Sequence, residues 1–429
     1  MEVVVISIAV LFVCLFLSVP ISACVGLAAI AVWFYVPTVP TSPAYVFQTL
    51  FTALDAYTLL AVPLFMLSGQ IMTQGGIARR LFDLFVYFLG GVKGGLPCCV
   101  VVTALFYGAI CGAGAATVAA VGAMTIPIMI RLGFDKVYIT SLVAVAGGLG
   151  VIIPPSIPMV MYATATGASV GKLFIAGIIP GCFIGGILCI ICVYFSRKKG
   201  ENRELIMEDF RKLRSKGFLK VFKDSFFAIL CPVIILGGIY GGFVTPTEAA
   251  GISVIYGLVV SIFIYRTVPL KGVTTLLFQT AHAFGPMFYI VGCCMAFARA
   301  LTLVQATAKL TEWMQETFVS MVAMILMINL FLLILGCFMD TIAAILIAAP
   351  VLWPIAEAAG FDIVHFGIVM TVNLAIGFVT PPVGANLFVA NGLTGIPVLK
   401  IAHKAIPFIV GFLIALMFIT FIPALSLTL

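Results

Sequence analysis

GFVTPPVGANLFVANGLTG, running from Gly377 to Gly395, decides how the chain is read. The stretch is strongly apolar, yet a helix cannot pass smoothly through it. Pro381 and Pro382 remove two backbone donors and clash with the preceding turn. The residue before a proline is pushed out of the α region, which here applies to Thr380 and Pro381. At bilayer depth, free backbone groups are tolerated only where protein or a water-filled cavity satisfies them. Thr380, Asn386, Asn391 and Thr394 place polar side chains around the break.

An earlier stretch matches it: GVIIPPSIPMVMYATATGASVG, from Gly150 to Gly171. Pro154 and Pro381 stand 227 residues apart. The same offset relates Pro127 to Pro354, Gly133-Phe134-Asp135 to Gly360-Phe361-Asp362, Gly150 to Gly377 and Pro180 to Pro407. One Pro-Pro pair could align by chance, whereas a constant offset over five landmarks marks an internal duplication. Helix breaks at corresponding positions of two halves point to the binding site of a secondary transporter.

Composition agrees. Hydrophobic residues make up 63% and charged residues 9% of the 429, with a mean hydropathy of +1.29, so an all-α polytopic membrane protein is expected. A span needs about 20 apolar residues, which leaves room for roughly a dozen crossings. The N-terminal MEVVVISIAVLFVCLFLSV has no basic flank or small-residue cleavage site and reads as a retained helix rather than a signal peptide. Most of the twelve cysteines sit in apolar runs and behave as small hydrophobes. With three histidines, His282, His365 and His403, no zinc, iron or other transition-metal site is expected. The net charge of +7 is concentrated between Ser196 and Asp224, where ten Lys or Arg face five acids. The positive-inside bias makes this segment cytoplasmic. It is short, joins two spans and interleaves its charges, which argues against nucleic-acid binding.

Along the chain, Val3–Val36 reads as one kinked helix or two shorter ones, followed by a polar connector from Pro37 to Tyr57. Apolar segments follow at Thr58–Thr73 and Leu81–Leu89. Leu96–Phe134 is nearly long enough for two crossings but has no charge before Arg131 to mark a surface turn. Its centre, Gly108 to Ala116, is built of small residues that permit a tight reversal and close packing. A re-entrant hairpin is expected there, with a helix-packing face as the plainer alternative. Gly336-Cys337-Phe338-Met339-Asp340-Thr341-Ile342-Ala343-Ala344 is the candidate for a second hairpin. Pro286–Gly292 echoes Pro63–Gly69 at an offset of 223, so a small indel separates these landmarks from the others.

Asp340 stands in an apolar run of more than twenty residues. A charge at that depth costs about 2.5–3.5 kcal/mol on insertion scales, so it reads as functional, or else as a cap on the hairpin tip. Its counterpart by offset is Ala113, so the two hairpins are not chemically equivalent. A cation in the first half would rely on carbonyls near Gly112, Gly114, Gly150 and Ile152. In the second, Asp340, Thr380 and carbonyls around Gly336 and Gly377 could contribute. Oxygen-only ligation suits Na⁺. Glu248, after Thr245-Pro246-Thr247, reads as a helix cap, and Arg299 as lining an aqueous cavity or snorkelling. Asp135, Glu357 and Asp362 read as helix-end residues near water. No P-loop is present, no Ser-His-Asp set is suggested, and Asp340 lacks the partner an intramembrane enzyme would need. Energy must come from an ion gradient or another subunit.

The two Gly-x3-Pro-Pro breaks, the two small-residue hairpins, Gly336-Cys-Phe-Met-Asp340 and the basic mid-chain segment together resemble the large membrane subunit (DctM/SiaM-like) of tripartite ATP-independent periplasmic (TRAP) transporters. The resemblance covers essentially the whole chain. It implies an inverted-repeat, elevator-type transporter of the bacterial inner membrane, importing an organic acid such as a C4-dicarboxylate, sialic acid or sugar acid. Na⁺ would be the coupling ion, with no organic cofactor. The partners implied are a small four-helix membrane subunit (DctQ/SiaQ-like) and a periplasmic substrate-binding protein (DctP/SiaP-like). Carried onto this sequence, the first Na⁺ site falls near Gly112, Gly114, Gly150, Ile152 and Pro154. The second falls near Gly336, Asp340, Gly377, Thr380 and Pro382. Substrate would lie between the hairpin tips and the breaks, near Asn386, Asn391, Ser156 and Thr164.

The organisation implied is scaffold and start of the first repeat over 1–95, first transport repeat over 96–180 and a scaffold arm over 181–285. Scaffold helices of the second repeat follow over 286–322, the second transport repeat over 323–407 and a last helix over 408–429. Family members often place serines at the first hairpin tip, where this chain has Cys111-Gly-Ala-Gly-Ala-Ala116. A stand-alone Na⁺- or H⁺-coupled carrier of divalent anions or citrate is the alternative, and it predicts transport without partners.

Overall fold

A computed structural model describes residues 6, 7, 9–11, 13, 14, 17, 19–35, 44–199, 202–317 and 320–428, and every regular element among them is helical. Most of the Val3–Val19 part of the expected N-terminal helix and the start of the polar connector lie outside the described residues. Early in the chain lie α1 (Ile21–Tyr35), α2 (Ala44–Leu54) and α3 (Ala61–Gln74). The connector expected to be irregular thus holds a helix, and Val46–Leu54 bends by 57° into Tyr57–Gln74. α4 (Ile77–Leu89) is amphipathic, burying Ile77, Leu81, Phe82 and Val86 along one side.

The first hairpin is α5 (Gly95–Cys111) and α6 (Gly114–Arg131), reversed at Gly112 and Ala113. Gly112 has φ +63°, a left-handed conformation that a Cβ disfavours. α7 (Lys136–Ala146) continues through a 3₁₀ turn, Gly147–Val151, to the first Pro-Pro break. α8 (Ile157–Thr166) resumes beyond it, and α9 (Val170–Lys199) crosses the membrane over 30 residues, about 45 Å at 1.5 Å per residue.

The basic segment is largely a helix. α10 (Arg203–Arg214) turns Ile206 and Phe210 inward and its charges outward. α11 (Phe218–Tyr240) and α12 (Pro246–Val259) form the arm between the halves. The Thr245–Glu248 pair makes the expected cap: Glu248 Oε2 accepts from Thr245 N at 2.7 Å, and Thr245 Oγ1 accepts from Glu248 N at 3.3 Å. α13 (Leu270–Leu303) and α14 (Ala306–Thr317) follow, and Arg299 is exposed near the end of α13.

The second hairpin is α15 (Met321–Phe338) and α16 (Thr341–Ala358), then α17 (Ile363–Gly377) runs into the second break. α18 (Ala385–Thr394), α19 (Val398–Phe421) and the short α20 (Ala424–Leu427) complete the chain. Seven described helices are long and apolar enough to cross a membrane, or eight if the bent pair counts as one span. Among the described residues the dozen allowed by length is not reached, because hairpins and broken helices use sequence without making full crossings.

The duplication is visible atom by atom. α6 and α16 both end in a turn where Gly133 (φ +87°) and Gly360 (φ +80°) are left-handed. Phe134 N donates to Met129 O and Phe361 N to Ala356 O, both at 3.0 Å. Asp135 and Asp362 then cap α7 and α17 through their carboxylates. α7 begins 227 residues before α17, but α8 begins 228 before α18 and α9 228 before α19. One residue has therefore been added after the second break, so Pro180 and Pro407 differ by one position in structural register.

The repeats are inverted and interlocked. With the basic segment cytoplasmic, following the helices back through α9 opens the first hairpin to the cytoplasm, and following them forward through α11–α13 opens the second to the opposite face. Two contacts agree: Lys136 Nζ donates to Thr394 O at 2.8 Å at one end, and Tyr162 Oη to Ile363 O at 2.8 Å at the other. α6 packs on α18 of the second half and α16 on α8 of the first. Around this unit, α13 packs on α1, α2 and α3, and it also touches α16.

Candidate functional site

Each hairpin tip is bonded to the break of its own half. Gly112 O accepts from Ile157 N, and Cys337 O accepts from Val383 N, both at 3.1 Å. The peptide bonds Pro154–Pro155 and Pro381–Pro382 are both cis. Such contacts require hairpin and broken helix to approach backbone to backbone. A Cβ on Gly108 would lie 2.5 Å from Gly150 Cα, and one on Gly377 would lie 2.4 Å from Gly336 C. Real Cβ contacts do not reach those distances, so the glycines are dictated by packing as much as by conformation.

In the first half, Gly112, Gly114, Gly150, Ile152, Pro154 and Ser156 are all buried. A Cβ on Gly150 would strike Thr117 Oγ1 at 2.3 Å and approach Ala113 O at 3.1 Å. Thr117 is fully buried one turn into α6 and donates to Ala113 O at 2.9 Å. It supplies the hydroxyl that the tip itself lacks. Sequence reading missed it because it lies beyond the small-residue run, at the i+4 position that returns to the tip.

Asn386 belongs to the second half but sits in this first cluster. It is completely buried, and its Nδ2 donates to Ala144 O at 3.1 Å. Its Oδ1 is buried with no hydrogen-bond partner among the described residues. A Cβ on Gly114 would lie 3.3 Å from that oxygen and 3.2 Å from Gly147 O. A carbonyl and an amide oxygen thus face the start of α6, an arrangement that suits a hard cation. Ser156 faces inward too: its Oγ donates to Val151 O at 2.5 Å and caps α8 through Met159 N at 3.4 Å.

The second cluster is more open. Gly336 and Gly377 are buried, Thr380 and Pro381 half-buried, and Asp340, Pro382 and Val383 exposed. Asp340 caps α16, its Oδ2 accepting from Ile342 N at 3.1 Å, at the position where Ala113 begins α6 without a side-chain cap. Thr380 Oγ1 donates to Ile376 O at 2.8 Å. Asn391 lies at the far end of α18, holding Ile396 O at 2.7 Å, and Thr164 lies 3.5 Å from Thr58, just before α3. Neither reaches a hairpin tip through these bonds.

Comparison with known proteins bears on this architecture. The family model described as "Tripartite ATP-independent periplasmic transporter, DctM component" matches residues 8–425. The C4-dicarboxylate TRAP transporter large permease protein DctM of Pseudomonas aeruginosa is 41% identical, over 89% of this chain and 88% of the relative. The isethionate TRAP transporter permease protein DctMQ of Oleidesulfovibrio alaskensis is 39% identical over 96% of this chain, which spans 64% of that relative's length. The sialic acid TRAP transporter large permease protein SiaM of Vibrio cholerae is 31% identical over 94% of this chain and 93% of the relative. The YdaH transporter of Alcanivorax borkumensis shares the fold, with a TM-score of 0.63 over 88% of both chains and 13% identity. A multi-pass protein with matched hairpins and breaks, whose relatives are named as permeases, is a transport protein of the bacterial inner membrane. The chain belongs to the tripartite ATP-independent periplasmic transporter family, as a DctM component.

Proposed function

We propose that this subunit imports an organic acid by Na⁺ symport, working with a small four-helix membrane subunit and a periplasmic substrate-binding protein. The observation that carries the reading is the paired bonding of each hairpin tip to its own helix break. It gathers backbone oxygens at two places in the membrane interior, where a transporter with inverted repeats holds its coupling ions. The relatives' names supply the substrate class: C4-dicarboxylate, isethionate and sialic acid are all organic acids.

In this reading the first Na⁺ site uses oxygens of Gly112, Gly114 and Gly150, with Ile152 and Pro154 shaping the turn and Asn386 Oδ1 adding a ligand from the other repeat. The second uses Gly336, Asp340, Gly377 and Thr380, with Pro382 ending the helix. Substrate meets the open second break, because the first is buried throughout. Asn391 and Thr164, near opposite ends of the unit, lie away from this break, while Asn386 and Ser156 act from inside by holding the breaks in shape. The two hairpins and the broken helices move together as the transport domain (96–180 and 323–407), past a scaffold comprising 1–95, the arm 181–285 and 286–322, with 408–429 completing the last span.

Uptake in proteoliposomes tests the proposal. An inward Na⁺ gradient is applied to the chain alone, with its small membrane subunit, and with both partners, using labelled C4-dicarboxylates, isethionate and sialic acid. Na⁺-dependent uptake only with all three components is expected. Uptake by the chain alone would overturn the tripartite reading in favour of a stand-alone carrier.

A further inference from the structure

At the edge of the transport unit, a cavity of about 170 Å³ lies where α4, α10 and the root of the first hairpin meet. Its floor is apolar, with Phe82, Leu96, Ile128 and Phe210 among the walls. Its rim holds four cations, Arg79, Arg131, Lys212 and Lys216, against two carboxylates, Asp83 and Asp209. Arg131 pairs with Asp209 at 2.6 Å, Arg79 with Asp83 at 3.5 Å, and Lys212 with Glu208 at 2.5 Å. Lys216 takes part in none of these ion pairs. Three separate elements deliver the cations: α4, the last turn of α6, and α10 with the turn after it. Convergence of this kind is not the solvated face of one charged helix.

Both amphipathic helices border the cavity at the end of the first hairpin where α5 begins and α6 stops, which the positive-inside bias puts at the cytoplasmic surface. An apolar floor beneath a cationic rim at that depth matches a phospholipid whose phosphate sits on the rim and whose glycerol and upper acyl carbons cover the floor. A soluble phosphate compound would satisfy the rim but leave the floor uncovered. We propose that this cavity binds the headgroup of an anionic phospholipid, through Arg131 and Lys216 in particular.

The full chain is purified in mild detergent and titrated with phosphatidylglycerol or phosphatidylcholine of matched chains, with bound lipid counted by native mass spectrometry. The parent protein binds phosphatidylglycerol in preference to phosphatidylcholine. Arg131→Gln with Lys216→Gln weakens phosphatidylglycerol binding by roughly 10- to 30-fold, at about a fivefold effect per basic residue, and leaves phosphatidylcholine unchanged. Lys220→Gln with Lys271→Gln, on exposed cytoplasmic residues away from the cavity, preserves the preference. Lys216→Gln alone serves where the double variant fails to fold, since it breaks no ion pair, and loses roughly fivefold. Equal affinity of parent and cavity variants, or equal losses in both double variants, overturns the site. Displacement of bound phosphatidylglycerol by millimolar inorganic phosphate overturns the lipid as its occupant.

Discussion

Gly377 and Gly336 touch through their backbones: a methyl group placed on Gly377 would lie 2.5 Å from Gly336 O and 2.4 Å from its carbonyl carbon. The carbonyl cannot swing away, because it belongs to the last turns of α15 beside the tip bond between Cys337 and Val383. Gly377→Ala should therefore separate the second hairpin from its break. Overpacking of a tight site costs about 1–3 kcal/mol, and the tip bond should be lost with it. Uptake should fall to background, with a lower unfolding temperature in detergent. Gly392→Ala, where an added Cβ meets nothing within 4 Å, should leave both unchanged.

Asp340 has two separable roles, cap and charge. Asn retains the cap oxygen but removes the charge, and Ala removes both. Asp340→Ala should lose about 1 kcal/mol of stability, the usual worth of such a cap. Asp340→Asn should unfold at nearly the parent temperature, yet need a higher Na⁺ concentration for half-maximal uptake. The pair of variants is informative only together. An Asn variant with an unchanged Na⁺ requirement would leave Asp340 as a cap and remove it from the second site.

Asn386 ties the second repeat to the first through Ala144 O, inside a fully buried cluster. Asn386→Leu would leave that carbonyl without its donor, at about 1–3 kcal/mol for a buried unsatisfied group. Asn386→Asp would set a carboxylate against the carbonyl and should destabilise as well, but it keeps an oxygen where Oδ1 stands. Thermal unfolding should separate both variants from the parent. The melting temperature of the Leu variant should rise less than the parent's on adding Na⁺, because the stabilisation linked to the first site is lost while the second site remains.

Much of this is legible in the amino-acid sequence. Paired prolines stop a helix wherever they stand, so both breaks followed from Pro154-Pro155 and Pro381-Pro382. The constant offset exposed the duplication, and Thr245 with Glu248 announced its cap. Contacts across the repeats were another matter. Asn386 follows the second break in sequence but serves the first cluster, because the inverted halves interlock and bring α18 onto α6. No local pattern encodes that pairing. Thr117 was hidden for a similar reason, since only the fold of the tip shows that its hydroxyl returns to Ala113. The helix within the basic segment is hidden in the sequence because its charges outweigh the two apolar residues, Ile206 and Phe210, that anchor it.

Asn329 and Asn373 join α15 to α17 deep in the second repeat: Asn373 Nδ2 donates to Asn329 Oδ1 at 2.5 Å, and both side chains are buried. Asn373 lies one turn before Gly377, so the pair and the glycine contact hold the same helix–helix seam. Interhelical hydrogen bonds in membranes average about 0.6 kcal/mol and reach about 1.7 kcal/mol in double-mutant cycles. Replacing Asn373 by Leu should cost more than that, because Asn329 Oδ1 then loses its donor in an apolar seam, whereas Asn329→Leu leaves Asn373 Nδ2 on Val369 O at 3.1 Å. Replacing both strands neither, so Asn329→Leu with Asn373→Leu should recover part of the loss. A cycle of unfolding free energies in detergent or bicelles checks this. A double variant no better than the sum of the singles would show that the two amides are uncoupled, and the seam would then rest on the Gly336–Gly377 contact alone.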